Sequence, residues 1–502
     1  MRKLEVWVLL LILLGGFWVR MYKFDSPIAD WHSWRQSDTS SVSRNFVKFG
    51  YDILHPRFDD LSNGVSLIDN PNGYRFVEFP FYNILQAGFY QIFGNLTIEQ
   101  WGRLITIFSS LIATVFLYLL VKKHVSARAG IIAAFFYAFV PYNIYYSRVV
   151  LPDASMVMAF LGGLYFFDQY LDKSEIRISK SETNTKYKIQ KYAFYWLAII
   201  FTAIALLIKP FVAFFFLAFL YLVFMKYGLK GFKRPDIWVF FVMSTLPFFL
   251  WRMWMENFPE GIPRNDWLYN GNGIRFKGAF YWWIFAERIS RIILGFWGLP
   301  FVVLGLLFKP GNKEKWLFFT FVISTIAYVH VFATGNVQHD YYQILIVPTL
   351  AIFFGKGIDG TLSLTKDFFN YWVTRITIVV CSVFMLVFGW YIIRDFYSIQ
   401  HPAIVEAGDA VDKLAPKNAK VIAVYNGDTT FLYHTNRAGW PVFERTLRAF
   451  RKAGATHIVF ANPTKEELNF STLFKTVKIT NTYAIFDLTS PTPLGLKELK
   501  KK

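Results

Sequence analysis

The feature that most constrains this chain is a succession of apolar runs, long enough or nearly long enough to cross a bilayer, separated by short polar segments. A spanning helix needs about 20 apolar residues, because every backbone N–H and C=O must find its partner inside the segment. After Met1-Arg2-Lys3 an apolar run reaches Val19 and continues into Arg20-Met21-Tyr22 without a small-residue cleavage site, which reads as an uncleaved anchor with its N-terminus inside. Runs near 101–121, 128–141, 154–171, 193–208, 211–226, 236–253, 289–308, 315–333, 342–357 and 373–393 bring the count to eleven. The run from Pro80 to Phe93 is too short to span, and is expected to be a juxtamembrane or re-entrant helix that returns to the side it left.

Composition agrees, since 55% hydrophobic and 20% aromatic residues with a mean hydropathy of +0.34 are too apolar for a soluble chain. A net charge of +19 suggests nucleic acid, but the Lys and Arg residues concentrate in alternate loops. Lys122-Lys123-His124 with Arg128, Lys173 to Lys191, Lys226 to Arg234 and Lys309 to Lys315 all fall on the side of the N-terminus, which is the topology signal of a membrane protein and sets nucleic acid aside. The single cysteine, Cys381, lies in an apolar run and offers neither an intrachain disulfide nor a thiolate metal site.

This count puts four polar segments on the outer face: the 20–79 loop, Tyr145 to Asp153, the 254–288 loop and Val337 to Gln343. After Tyr391 the pattern turns soluble. Helices near 402–414 and 443–453 and strands near 420–425, 457–460, 475–479 and 483–487 predict a small α/β domain with βαβ units, also outside. The division expected is therefore 1–395 for the membrane part and 396–502 for the outer domain. Asn426-Gly427-Asp428 reads as a turn and not a phosphate loop, and Lys497 to Lys502 as a solvated basic tail.

In the first outer loop, Ala29-Asp30-Trp31-His32-Ser33-Trp34-Arg35-Gln36 sets an acid among tryptophans at a membrane edge. A carboxylate is costly to hold in such a place, which marks Asp30 as a functional candidate; the alternative is an interfacial aromatic belt with Asp30 capping a helix.

This run, with Glu78-Phe79-Pro80, Ser147-Arg148, Leu151-Pro152-Asp153 and His339-Asp340-Tyr341-Tyr342-Gln343, resembles the GT-C glycosyltransferases, in the branch of the protein O-mannosyltransferases and the lipid A aminoarabinose transferase. The resemblance covers about residues 1–395, and Phe431 to Trp440 is similar to outer domains attached to many such enzymes. It implies an α-helical polytopic membrane protein of about 11 to 13 spans with a small extracytoplasmic α/β domain, in the plasma membrane. The activity implied is transfer of a sugar, with inversion, from a polyprenyl-phosphate donor to a hydroxyl of a lipid, glycan or protein acceptor at the outer face.

Under that resemblance Asp30 is the base or acceptor-orienting acid, and Glu78 a second acid or ligand for a divalent metal, although the lysine that the branch places next to this glutamate is replaced by Phe79. Arg148, His339 and Lys209 are candidates for the donor phosphate, because Arg supplies a planar fork of donors and His a proton near neutrality. His32, Trp34, Arg35, Asp153, Asp340, Tyr341 and Tyr342 are expected to line the substrates. Each has a structural alternative: a helix-end charge for Glu78, snorkelling for Arg148, a satisfied loop histidine for His339, an N-cap for Asp153 and interfacial rings for the tyrosines. A transporter or flippase of lipid-linked sugars would use similar charge within a membrane.

Overall fold

The apolar runs fold as helices, among them Arg2–Arg20, Ile98–His124, Ala127–Phe139, Asp153–Glu175, Thr185–Ile208, Phe216–Tyr227, Pro235–Met255, Leu317–Val331, Val347–Leu364 and Tyr371–Ile393. The computed structural model describes residues 2–175, 185–364 and 370–500. The middle of the expected basic loop from Lys173 to Lys191, and the tail residues Lys501 and Lys502, lie outside the described residues. Among those described, six helical stretches are long and apolar enough to cross a membrane, and Ala127–Phe139 and Leu317–Val331 are shorter apolar helices.

Two expectations are corrected. The run 289–308 is not one span: a helix ends at Ile293, the chain turns through Gly295 (φ 49°) and Phe296 (φ 59°), and a new helix runs over Leu299–Leu307. Gly295 presses on the Met385 carbonyl, where a Cβ would stand only 2.3 Å away, and Pro300 suits the first turn of the new helix because it has no N–H to satisfy. The first outer loop, expected to be irregular, contains the 17-residue helix Ser33–Phe49.

The chain forms two compact units. The first comprises Met1–Phe24, Arg103–Arg252 and Asn265–Asp395; the second comprises Asp25–Gly102, Met253–Arg264 and Phe396–Lys502. In the first, Val347–Leu364 is central, with every residue from Val347 to Ile358 buried. Lipid tails are as apolar as leucine, so helices in a membrane gain by close backbone approach, and glycines permit it. A Cβ on Gly357 would lie 1.8 Å from the Phe301 carbonyl, one on Gly305 1.9 Å from the Phe353 carbonyl, and one on Gly355 2.6 Å from the Ala129 carbonyl. Val347–Leu364 thus meets two neighbours backbone to backbone.

In the second unit the sheet has the order β2-β1-β3-β5-β4, with β1 Val421–Ala423, β2 Gly439–Trp440, β3 His457–Ala461, β4 Phe474–Ile479 and β5 Tyr483–Pro491. β1 is parallel to β2 and β3, and β5 is antiparallel to β3 and β4. Side chains alternate as the pleat requires. Val421, Ala423, Val459 and Ile485 pack with Ile404, Val411 and Phe431 on one face, while Ile422, Ile458, Phe460 and Phe486 pack with Trp440 and Phe450 on the other.

Residues 59–61 are stitched into this domain. Asp60 pairs in parallel with Gly439, the Leu61 N–H donates to the Gly439 carbonyl (2.7 Å), the Gly439 N–H to the Asp59 carbonyl (2.9 Å), and the Leu61 side chain enters the core beside Trp440. Residues 59–61 therefore extend the sheet at its β2 edge, within the same compact unit as Phe396–Lys502. The Ser33–Phe49 helix also belongs to it. Eleven of its residues are buried, and all but Val42 and Phe46 of these are polar. Asn83 Nδ2 donates to the Thr39 carbonyl (2.6 Å) and to Ser43 Oγ (3.0 Å), Ser43 Oγ donates to Gln86 Oε1 (2.7 Å), and Gln86 Nε2 donates to Ser40 Oγ (3.2 Å), which fastens the neighbouring helix Phe81–Phe93 to it.

Two measurements test this packing. Gly357→Leu is expected to lower Tm by several degrees, because overpacking costs about 1–3 kcal/mol, whereas Gly311→Leu, with nothing within 4 Å, leaves it unchanged. Burial pushes the Asp60 carboxyl from 3.8 up to about 7. A carboxyl raised in the folded state contributes stability below the unfolded pKa and loses it as pH rises through the folded one, here between about 4 and 7. Asp60→Asn should therefore raise Tm clearly at pH 8 and by less at pH 5, and an unchanged pH profile contradicts this.

Candidate active site

In the second unit, residues 29–34 form one wall of a cavity of about 190 Å³, with Asp30 on that wall. Asp30 is 4% exposed and accepts a hydrogen bond from Gln36 Nε2 (2.6 Å). Gln36 lies in the first turns of the Ser33–Phe49 helix, so the buried helix aims the carboxylate. His32, just before that helix, adopts the left-handed region (φ 55°, ψ 34°), a conformation uncommon outside glycine and one that concentrates at functional sites. Its ring stands edge-on to Trp31, with centroids 5.1 Å apart. Trp34 completes the same wall.

One helical turn further on, Arg35 Nη2 meets Glu78 Oε1 at 2.5 Å, with both side chains buried. The cation absent beside Glu78 in sequence is thus supplied from residue 35. Arg75 Nη2 pairs likewise with Asp38 Oδ2 (2.6 Å). These four line a space of about 10 Å³, near the lower limit for a single water. Glu78 Oε2 is buried without a hydrogen-bond partner. Even so, the donor set does not suit a divalent cation, because each carboxylate already faces a guanidinium, and no group of three or more His, Cys, Asp or Glu side chains arranged to hold a metal occurs among the described residues. Glu78 is an ion-paired acid at this site, and its expected alternative as a helix-end charge is replaced by that pairing.

The first unit carries a separate polar cluster. Lys209 Nζ meets Asp153 Oδ1 at 2.5 Å and lies 5.2 Å and 5.4 Å from the ring centroids of Tyr341 and Tyr342. Asp153 therefore spends its carboxylate on Lys209 and does not cap its own helix, and its Oδ2 is buried without a partner. Asp340 is buried, accepting from Tyr146 Oη through Oδ1 and from Tyr142 Oη through its carbonyl. The His339 ring sits among Trp267, Tyr341 and Tyr342, with centroids 5.3 Å, 5.5 Å and 5.7 Å away. Arg148 stands in a different setting: it is fully buried, and its guanidinium donates to the Tyr22 and Lys23 carbonyls (3.3 Å and 2.6 Å) just beyond the first helix.

Sequence reasoning missed Arg288. Its Nη1 lies 3.8 Å from Asp340 Oδ2, its Nη2 donates to the Val337 carbonyl (2.7 Å), and its Nε is buried without a partner. The available signal was an arginine shortly after the apolar stretch Trp282 to Ala286.

Residues 77–254 match the family described as dolichyl-phosphate-mannose-protein mannosyltransferase. No curated protein sequence matches the chain. Among solved structures, ArnT from Cupriavidus metallidurans bound to undecaprenyl phosphate is similar at a TM-score of 0.63 and 13% identity, over 97% of each chain. The Archaeoglobus fulgidus oligosaccharyltransferase in complex with Zn and sulfate is similar at 0.57 and 12%, over 90% of this chain and 68% of that one. The same organism's AglB, in complex with an inhibitory peptide and a dolichol-phosphate, is similar at 0.55 and 12%, over 92% and 70%. At such identities the similarity is one of fold. The chain is thus similar, over residues 77–254, to the mannosyltransferase family and, in fold, to these transferases.

Proposed function

We propose that the protein transfers a sugar from a polyprenyl-phosphate donor to an acceptor hydroxyl at the outer face of the membrane, with inversion at the anomeric carbon. The observation that carries the reading is Asp30: a buried carboxylate, oriented by the Gln36 amide, on the wall of a polar cavity. In the step, the acceptor oxygen bonds to the anomeric carbon as its proton passes to Asp30, and the bond from that carbon to the phosphate oxygen breaks, its electron pair leaving with the lipid phosphate. One displacement from the side opposite the leaving group inverts the centre, and a positioned base contributes about 10²–10⁴-fold to such a step.

The first unit holds groups suited to a lipid phosphate. Lys209, held on Asp153, and Arg288, held near Asp340, are cations whose present partners are carboxylates. A lipid phosphate replaces that anionic partner with its own oxygens, and His339 adds a group able to hydrogen-bond a phosphate near neutral pH. The ArnT structure containing undecaprenyl phosphate supports a carrier of this class. The residues around Glu78 are already charge-matched, each carboxylate facing a guanidinium.

Two experiments test the reading. In membranes supplied with a labelled polyprenyl-phosphate sugar, Asp30→Asn is expected to lower product formation by about 10²–10⁴-fold; full transfer in that variant removes Asp30 from the reaction. For orientation, in a Cys381→Ser background, a cysteine at the exposed Ser471 is expected to react with an impermeant maleimide on intact cells, and one at the exposed Asn312 only after permeabilisation. The opposite labelling inverts the topology.

A further inference from the structure

The cavity beside Asp30 has a second wall that the reaction above does not use. Gln400, His401, Tyr425 and Asp428, all from the C-terminal part of the chain, face residues 29–34 across it. This wall is built rigidly. Asp428 follows two left-handed residues, Asn426 (φ 52°) and Gly427 (φ 82°), and its Oδ1 accepts from the Thr430 N–H (2.8 Å). The turn is then locked to the Ser33–Phe49 helix: Thr429 Oγ1 donates to Asp38 Oδ1 (2.7 Å), and Thr430 Oγ1 donates to Ser33 Oγ (2.9 Å). On the other side the Trp31 N–H donates to the Phe396 carbonyl (3.0 Å), and the two rings stack at 5.2 Å. The His401 ring stands edge-on to Tyr425, with centroids 5.5 Å apart.

We propose that this cavity is the acceptor subsite and takes a single sugar ring, with Gln400, His401 and Asp428 hydrogen-bonding its hydroxyls and the Tyr425 and Trp34 rings bordering its C–H faces. The inference rests on the reading of Asp30 as the base and names the acceptor class for that site. Three observations favour a carbohydrate. The wall mixes a carboxylate that accepts, an amide that does both and an imidazole that does either, which is the donor and acceptor set that vicinal hydroxyls require. Aromatic rings accompany those groups, whereas Ala29 and Ile404 are the only aliphatic side chains lining the space, too few to hold an acyl chain. The volume is about 190 Å³. That is room for one pyranose and not for an extended peptide, which needs a groove that satisfies its backbone on both sides.

The test uses the full-length protein in nanodiscs and saturation-transfer NMR with the methyl glycosides of glucose, galactose, mannose and N-acetylglucosamine, and with acetyl-Ala-Ser-Ala-amide as the peptide probe. At least one glycoside is expected to bind and the peptide not to bind. Asp428→Asn and His401→Ala should each weaken that glycoside about tenfold, the loss of one hydrogen bond to a charged or polarised group. Gln400→Leu, at an exposed position that the fold does not need, should weaken it in the same direction. Absence of binding by all four glycosides, equal binding in the three variants, or peptide binding that Asp428→Asn abolishes would each overturn the proposal. The measurement involves no transfer, so its failure is separable from failure of the Asp30 reading: active transfer by Asp30→Asn with glycoside binding intact removes the base and keeps the subsite.

Discussion

The second unit depends on satisfying a helix whose buried residues are mostly polar. Ser33–Phe49 has Arg35, Gln36, Ser37, Asp38, Thr39, Ser40, Ser41, Ser43 and Asn45 buried. Each such group left without a partner costs about 1–3 kcal/mol, so a segment like this stays inside a protein only if its surroundings supply donors and acceptors one by one. Asn83 and Gln86 do so from one side, and Tyr433 Oη, donating to Ser40 Oγ (2.9 Å), does so from another. Satisfying hydrogen bonds have fixed geometry in a way that hydrophobic contacts do not, and so the helix has one register. That register sets where Gln36 holds Asp30 and where Arg35 meets Glu78.

What the sequence makes legible follows from this. Apolar runs report a single demand, burial in lipid or core, and most of those expected here form helices within a few residues of their expected limits. The strands of the C-terminal domain were equally plain, because Val421 to Ala423, His457 to Phe460 and Tyr483 to Phe486 carry the period and residue types of buried strands. Ser33–Phe49 was not legible as a helix, because nothing in its own composition says that distant residues will satisfy it. Nor was the pairing of Asp60 with Gly439, since a bridge at a sheet edge is made by backbone atoms that every residue shares.

The candidate residues divide along the same line. Asp30, His32, Trp34, Arg35 and Glu78 came together in one unit, and Asp153, Lys209, His339, Asp340, Tyr341 and Tyr342 in the other. They were visible because ionisable groups beside apolar runs are expensive enough to mean something. Their partners were invisible. A sequence shows that Glu78 lacks an adjacent lysine, but not that Arg35 replaces it from 43 residues away, and it shows Arg148 as a cation without showing the Tyr22 and Lys23 carbonyls that receive two of its nitrogens.

Pairing also decides what these charges can do. A buried ion pair holds its members in place through charge-assisted hydrogen bonds, yet desolvation offsets most of its Coulombic gain, so it is better at fixing geometry than at adding stability. Asp38 with Arg75, Glu78 with Arg35 and Asp59 with Arg44 surround the Asp30 helix and orient it without presenting net charge. Lys209 with Asp153 differs in one respect, for it sits between two tyrosine rings with an unpartnered carboxylate oxygen on its acid. On the proposed reading, an incoming phosphate competes with Asp153 for Lys209. In the proposed function, recognition of the anion and rearrangement of the pair are a single event.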